Sequence, residues 1–222
     1  MNFNKISSKI NFKELFVDAK VVRPVYCAIS GSHLYGFNSK DSDIDIRGCH
    51  CEELNNVIGL NREHEVRQFT DKVIDFESFD LKKELGLIMA NNSNVLEHLA
   101  SPPLYKSKHY EELKSIGEKS LSKLVAKPYF GMAQHNLFKY LRTFNESYRE
   151  APVKKYLYVL RALMAGIYAL ERKRIEPNLK ILNKTRMFQI SVVDELIERK
   201  QQGKEKDFVA GNPEAEKAIN DL

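Results

Sequence analysis

Hydrophobic and polar positions follow two different patterns along the 222-residue chain. Up to about Ser101, short apolar runs alternate with turn signals, which is typical of strands. After Pro102-Pro103 the pattern becomes almost wholly helical. The sequence therefore predicts an α/β (α+β) protein in which a small mixed-sheet domain, residues 1–104, is followed by a C-terminal helical bundle, residues 105–222.

The individual elements follow from apolar periodicity and from capping signals. Strands are predicted over residues 24–29, 44–49, 64–69 and 73–79, and helices over 81–90, 108–124, 128–144, 152–173, 188–200 and 213–222. Asn94, with Glu97 three residues later, predicts the N-cap of one more short helix. Pro128 and Pro152 each stand near the first turn of a predicted helix, where proline is favoured.

Composition narrows the class of protein only a little. A hydrophobic content of 43% and a charged content of 29% are ordinary for a globular protein, and no apolar run is long enough to cross a bilayer. The N-terminus lacks the apolar core of a signal peptide, and three cysteines provide no disulfide framework, so we expect a cytoplasmic protein without a membrane partner. The net charge of +5 is compatible with binding nucleotides or RNA.

The candidate chemistry lies between residues 29 and 48. A buried strand delivers Gly31 and Ser32 into a turn, where glycine lets the backbone approach a ligand and the serine hydroxyl can donate to a phosphate oxygen. The next strand carries Asp43 and Asp45, whose side chains share one face because they are two residues apart. Two adjacent carboxylates repel each other unless a cation lies between them, and oxygen ligands favour Mg²⁺ or Mn²⁺. Phosphate and metal sites side by side predict nucleotidyl or phosphoryl transfer.

Three other interpretations of this segment are an ordinary acidic turn, an EF-hand and a zinc site. Asp-x-Asp is common in ordinary acidic turns. An EF-hand would place ligands at Asp41, Asp43, Asp45 and Glu52, but its sixth position requires glycine and here holds Ile46. A zinc site at Cys49-His50-Cys51 lacks the ligand spacing and the second ligand pair of structural zinc.

Gly31-Ser32 followed by Asp43-x-Asp45 at the start of a strand resembles the signature of DNA polymerase β superfamily nucleotidyltransferases. The longer motifs Gly31-Ser-His-Leu-Tyr-Gly36 and Ser42-Asp-Ile-Asp-Ile-Arg-Gly48 are similar to one branch, the RNA repair pathway DNA polymerase β family. Asn92-Ser-Asn-Val-Leu-Glu97 resembles a further motif of that branch, with Ser93 in place of proline. The resemblance touches most of residues 25–182.

The resemblance implies a third carboxylate on a neighbouring strand. Asp75 and Glu77 share one face of the strand over 73–79, and Asp75 matches the position of the family, so it is preferred. Asp80 is expected to cap the following helix instead. We expect Arg47 to point away from the aspartate pair and to bind a carboxylate elsewhere.

Basic residues of the helical half are candidates for binding the triphosphate. Lys154, Tyr158 and Arg161 are spaced to share one helix face, and Lys155 and Arg161 are the predicted nucleotide-binding residues. The competing interpretation is an ordinary solvated helix face.

The leading hypothesis is therefore a transferase that uses Mg²⁺ or Mn²⁺. A nucleoside triphosphate would donate its nucleotide to a hydroxyl, and the family resemblance implies an RNA acceptor, for example a damaged tRNA end. Transfer to a protein hydroxyl, or a non-catalytic module that binds nucleotide or RNA, remains the alternative. The sequence does not determine the base, the acceptor or the oligomeric state.

Overall fold

A computed structural model describes residues 6–8, 10–58, 65–142, 148, 150–203, 208–209 and 212–222 of the chain. Contacts divide the chain into two compact units. The sheet unit comprises Met1–His33 and Asp43–Ser120, and the helical unit comprises Leu34–Ser42 and Leu121–Leu222. The division falls after Ser120 instead of residue 104, and it assigns a short segment of the N-terminal half to the helical unit.

The sheet unit contains a five-stranded mixed sheet in the order β3-β4-β2-β1-β5. Its strands are β1 (Arg23–Ile29), β2 (Ile44–Cys51), β3 (Val66–Thr70), β4 (Ile74–Asp80) and β5 (Pro103–Lys106). Its helices are α1 (Phe12–Asp18), α2 (Gly31–Tyr35, which continues into the helical unit), α3 (Leu54–Ile58), α4 (Leu81–Met89), α5 (Ser93–Ala100) and α6 (Tyr110–Ser120). β2 runs parallel to β4, whereas β1–β2, β1–β5 and β3–β4 are antiparallel pairs.

The helical unit is built around one long helix, α8. Its described elements are α7 (Ala126–Asn136), a π-helical turn (Leu137–Leu141), β6 (Ala151–Pro152), α8 (Val153–Arg172), α9 (Leu179–Lys184), α10 (Ser191–Gln202), β7 (Phe208–Val209) and α11 (Pro213–Asp221). α8 packs against α7, α9, α10 and α11. The predicted α+β class, with helices in the C-terminal half, is confirmed, and none of the described helices is both long and apolar enough to cross a bilayer.

Two local expectations were wrong. A fifth strand, β5, begins at Pro103, in a segment between two predicted helices for which no strand was predicted; proline is tolerated as the first residue of an edge strand. The N-cap of α5 is Asn92 and not Asn94, because the Asn92 side chain accepts hydrogen bonds from the amides of Asn94 and Val95. The predicted cap at Asp80 is confirmed by its hydrogen bond from the Lys82 amide.

Both faces of the sheet are covered, which explains the unbroken apolar run of β1. Tyr26 and Ala28 face a core cluster that includes residues of α4, α5 and α6, whereas Cys27 faces a second cluster that includes residues of α1. Cys49 of β2 belongs to the first cluster. Asp45 is four residues before Cys49, and side chains an even number of residues apart point to the same face of a strand. Asp45 therefore lies on the face of the sheet that α4 and α5 cover.

The first cluster contains a buried carboxyl group. Glu84 of α4 is 1% exposed and accepts a hydrogen bond of 2.7 Å from the hydroxyl of Tyr26, which is fully buried. Burial raises the pKa of Glu84 from 4.5 to about 7. Because the folded pKa is raised, the unfolded state loses its proton first, and stability falls as the pH rises from about 4.5 to about 7.

Replacing Glu84 by Gln should remove this pH dependence. One pKa unit corresponds to about 1.4 kcal/mol, so the variant should gain up to about 3 kcal/mol relative to wild type between pH 4.5 and pH 8. Denaturant unfolding at both pH values measures the difference. The exposed Glu112→Gln is the control for loss of a charge, and parallel pH profiles for Glu84→Gln and wild type would contradict the assignment.

Candidate active site

The turn after β1 is pressed against a carboxylate of β2. Gly31 has φ of +60°, and the amide of Ser30 donates to the Asp45 carbonyl at 2.9 Å. A Cβ atom at Gly31 would overlap Asp45 Oδ2 and would lie 2.7 Å from Asp45 Cγ. Only glycine meets both conditions, so the Gly-Ser turn and the Asp-x-Asp strand are in direct contact. Ser32 is buried in the same turn.

The three predicted carboxylates lie along two neighbouring strands. Asp43 is exposed and immediately precedes β2, while Asp45 lies within β2 and is partly exposed. Asp75 of β4 is the register partner of Asp45 in the parallel pair. The strand pairing therefore brings Asp75 alongside Asp45.

Glu77, the alternative third carboxylate, has a different environment. Its Oε2 accepts a hydrogen bond of 2.7 Å from Gln68 Nε2 of the edge strand β3. Its register partner on β2 is Arg47, so it lies one step farther along the strand than Asp75. The structure thus places Asp75, and not Glu77, beside Asp45.

The expectation for Arg47 was wrong. A residue two positions after Asp45 has the same parity and shares its face, because side chains alternate with a period of two. Arg47 Nη2 lies 2.7 Å from Asp75 Oδ2 and 3.5 Å from Asp45 Oδ1, and its Nη1 donates to the Asp75 carbonyl at 2.7 Å. Arg47 is therefore a member of the acidic site and bridges two of its carboxylates.

Burial and charged neighbours together affect the carboxyl group of Asp45. Burial is the largest influence and raises the pKa of its carboxyl group, Arg47 lowers it, and the charges of Asp75 and Asp43 raise it. Three carboxylates face one guanidinium here, and such a set gains from a further cation.

A histidine that the sequence reasoning did not single out supports the turn. His98 of α5 is buried, and its Nε2 lies 3.0 Å from the Ser30 hydroxyl, immediately before Gly31. Burial and then the charge of Arg47 lower the pKa of His98 to about 3, so the ring is neutral at physiological pH. His98 directly follows the Asn92–Glu97 motif, and this neighbourhood was the only available sequence signal.

The donor set suits a hard divalent cation, since Asp43, Asp45 and Asp75 offer oxygen ligands only. With Arg47 between Asp45 and Asp75, no three His, Cys, Asp or Glu side chains among the described residues converge on one point. The predicted convergence of three carboxylates is thus absent from this arrangement of the described residues.

The zinc interpretation finds no support in the described part of the chain. His50 bonds Ser78 and Glu52, at 2.8 and 3.1 Å, and no metal-binding group of His, Cys, Asp and Glu includes it. Cys49 and Cys51 lie in β2 as free thiols.

The predicted basic residues of the helical unit make contacts within that unit. Arg161 is fully buried; its guanidinium carbon lies 3.8 Å from the centroid of the Tyr35 ring, and Nη2 lies 2.8 Å from Met132 Sδ. Lys155 Nζ lies 3.5 Å from the centroid of the Tyr140 ring. Arg161 is therefore not part of a solvated helix face. It packs on Tyr35, which lies three residues after Ser32.

The family to which these features point is established by comparison with known proteins. A model of the RNA repair pathway DNA polymerase beta family matches residues 8–222. The chain belongs to this family. The resemblance noted in the sequence is confirmed over nearly the whole chain.

Two relatives share much of the sequence. Uncharacterized protein MJ0002 of Methanocaldococcus jannaschii is 34% identical over 163 residues, which cover 71% of this chain and 63% of the relative. Uncharacterized protein YcgL of Bacillus subtilis is 29% identical over 201 residues, covering 85% and 74%. The chain thus spans less than two thirds of the archaeal relative, and neither name states an activity.

The contact between Gly31 and Asp45 predicts a specific response to substitution. Gly31→Ala should destabilise the protein by more than ~1–2 kcal/mol, the cost of a left-handed conformation alone, because the new methyl group also meets the carboxylate. Gly86→Ala is the matched control: a Cβ there meets nothing within 4 Å, and alanine is favoured in a helix.

The double variant Gly31→Ala/Asp45→Ala should recover part of the loss in a double-mutant cycle measured by denaturant unfolding. Equal stability of Gly31→Ala and Gly86→Ala, or strict additivity in the cycle, would contradict the described contact.

Proposed function

We propose that the protein is a metal-dependent nucleotidyltransferase that moves a nucleotide from a nucleoside triphosphate to a hydroxyl group, and that the acceptor is an RNA end. The acceptor oxygen forms a bond to the α-phosphorus, the bond from that phosphorus to the bridging oxygen breaks, and pyrophosphate leaves. The observation that carries the proposal is the contact of the Gly31 turn with Asp45. It puts a backbone that can approach a phosphate next to an oxygen donor for a metal.

The three carboxylates have different roles in this proposal. Asp43 and Asp45 would hold Mg²⁺ or Mn²⁺, and Asp75 would help to activate the acceptor hydroxyl. A bound divalent ion in such a site neutralises phosphate charge and lowers the pKa of an attacking hydroxyl. Burial is the main cause of the raised pKa of Asp45, and the charges of Asp75 and Asp43 add to it, which supports the proposal of a cation here.

Arg47 has a positioning role in this proposal. Its guanidinium joins Asp45 to Asp75 across β2 and β4 and fixes both carboxylates relative to the turn. His98 also has a positioning role, because its neutral ring is within hydrogen-bond distance of the Ser30 hydroxyl. Neither Arg47 nor His98 needs to contact the substrate to hold the carboxylates and the turn in position.

The phosphate chain would bind the turn after β1. Ser32 would donate its hydroxyl, and the backbone after Ser30 offers amides. Lys155 and Arg161 remain the predicted basic partners for the leaving pyrophosphate. The burial of Arg161 against Tyr35 favours an indirect contribution, in which it fixes the segment that continues from Ser32.

An RNA acceptor is favoured by the family description and is compatible with the net charge of +5. We place the reaction in the cytoplasm, where the three free thiols would stay reduced.

Labelling experiments test the activity directly. The protein is incubated with each α-labelled nucleoside triphosphate, Mg²⁺ and total RNA, and the labelled product is identified. We expect label in RNA, released pyrophosphate, and loss of both in Asp45→Asn, while the exposed control Asp41→Asn keeps turnover. Label found in protein instead of RNA would show that the acceptor is a protein hydroxyl. Turnover by Asp45→Asn equal to that of wild type would refute catalysis at this site.

Paired substitutions identify the third carboxylate. Asp75→Asn should lower turnover by at least ~10²-fold, because a positioned side chain that helps to remove a proton typically contributes at least that much. Glu77→Gln should stay within about threefold of wild type, since Glu77 bonds Gln68. Unfolding curves establish that both variants are folded. The reverse ranking of the two variants would assign the role to Glu77.

A further inference from the structure

The side chain of Asn178 bonds the ends of two helices at once. Asn178 immediately precedes α9, and its Oδ1 accepts hydrogen bonds from the amides of Lys180 at 3.0 Å and Ile181 at 3.2 Å. Its Nδ2 donates to the carbonyl of Leu34 at 3.3 Å. Leu34 lies in the last turn of α2, where carbonyl groups have no partner within the helix. One amide group therefore caps the start of α9 and the end of α2.

The chemistry of its partners fixes the orientation of this amide group. Backbone N–H groups only donate, so the oxygen of Asn178 must face Lys180 and Ile181. The carbonyl of Leu34 only accepts, so it must face the nitrogen. The backbone of Asn178 is held as well, because its N–H donates to Glu176 Oε1 at 2.9 Å. The donor that reaches Leu34 therefore has a defined position.

The chain that follows Leu34 is shaped around Asn178. Gly36 has φ of +83°, a conformation that favours glycine. A Cβ atom at Gly36 would lie 2.6 Å from Asn178 Oδ1 and 2.9 Å from Asn178 Nδ2. The close approach of this segment to Asn178 thus requires glycine at position 36 for steric as well as conformational reasons.

The helix that Asn178 caps begins at the turn proposed to bind phosphate. α2 has five residues and starts at Gly31, so Ser32 and Leu34 belong to one short helix. A helix of this length is not stable by itself, and its geometry depends on the contacts at its ends. The contact of Gly31 with Asp45 fixes the first end, and the hydrogen bond from Asn178 fixes the second.

We propose that Asn178 is a positioning residue for nucleotidyl transfer: by holding the Leu34 carbonyl, it keeps Ser32 in the orientation that binds the phosphate chain of the nucleoside triphosphate. This inference rests on the proposed function for the identity of the ligand. Asn178 acts through α2 and needs no contact with the substrate. The turn holds the phosphate chain before and during the reaction, so a misaligned turn weakens nucleotide binding more than it slows the chemical step.

Asn178→Asp tests the donor separately from the cap. Aspartate caps a helix as well as asparagine does, so the bonds from Lys180 and Ile181 remain, but a carboxylate oxygen then faces the Leu34 carbonyl and repels it. The KM for the nucleoside triphosphate should rise about tenfold, as expected for a lost hydrogen bond, while kcat stays within about twofold of wild type. Steady-state turnover of the full chain with varied nucleoside triphosphate and saturating acceptor measures both constants.

Asn212→Asp is the matched control, because Asn212 makes the same kind of cap on α11 by accepting from the Ala215 amide at 2.9 Å. Its KM and kcat should match wild type. A purely structural Asn178 would instead reduce the amount of folded enzyme, which lowers the apparent kcat of Asn178→Asp and leaves KM unchanged. That result, or an equal rise of KM in both variants, would overturn the proposal.

A second variant covers the case in which Asn178→Asp does not fold. Serine is also a good N-cap, but its short hydroxyl side chain provides no amide to reach Leu34. Asn178→Ser should therefore show the same rise in the KM for the nucleoside triphosphate, and an unchanged KM would overturn the proposal.

Calorimetric titration with a non-hydrolysable nucleoside triphosphate and Mg²⁺ separates this inference from the proposed function. Weaker binding by Asn178→Asp, with no transfer by a wild type that binds, would support the positioning role and refute the transferase. Transfer by wild type, with unchanged KM and affinity in Asn178→Asp, would support the transferase and refute the positioning role. A wild type that neither binds nor transfers would refute both.

Discussion

The close approach of the Gly31 backbone to the Asp45 carboxylate is the constraint on which the rest of the candidate site depends. A Cβ at Gly31 would overlap Asp45 Oδ2, and the positive φ at this position independently favours glycine. The Ser30 amide bonds the Asp45 carbonyl, so the end of β1 and the start of β2 are fixed to each other by backbone as well as by packing. The turn and the carboxylate therefore form one rigid feature of the sheet unit.

Charge balance explains the residues that surround this feature. Arg47 compensates part of the negative charge of Asp45 and Asp75 and joins the two parallel strands that carry them. Its positive charge, added to burial, keeps His98 neutral, and the neutral ring can remain buried beside Ser30.

The sequence predicted the architecture well where periodicity and caps carry the signal. The strands β1, β2 and β4 and the long helix α8 were located to within a few residues, because alternation and helical spacing depend on local burial. The strand β5 was missed since its four residues follow a double proline and pair only with the distant β1. The predicted direction of the Arg47 side chain was wrong because residues two apart on a strand share a face. The contacts of His98 and Arg161 depend on tertiary packing that no short motif encodes.

The most direct test of this account is a crystal structure with Mn²⁺ and a non-hydrolysable nucleoside triphosphate, read by the anomalous signal of the metal. The account predicts manganese bound by Asp43 and Asp45 at about 2.0–2.2 Å, the distance typical of such hard-cation sites. It also predicts the phosphate chain against the Gly31-Ser32 turn. Nucleotide and metal bound at another cleft, with the turn empty and the Asp45 carboxylate still paired with Arg47, would contradict it.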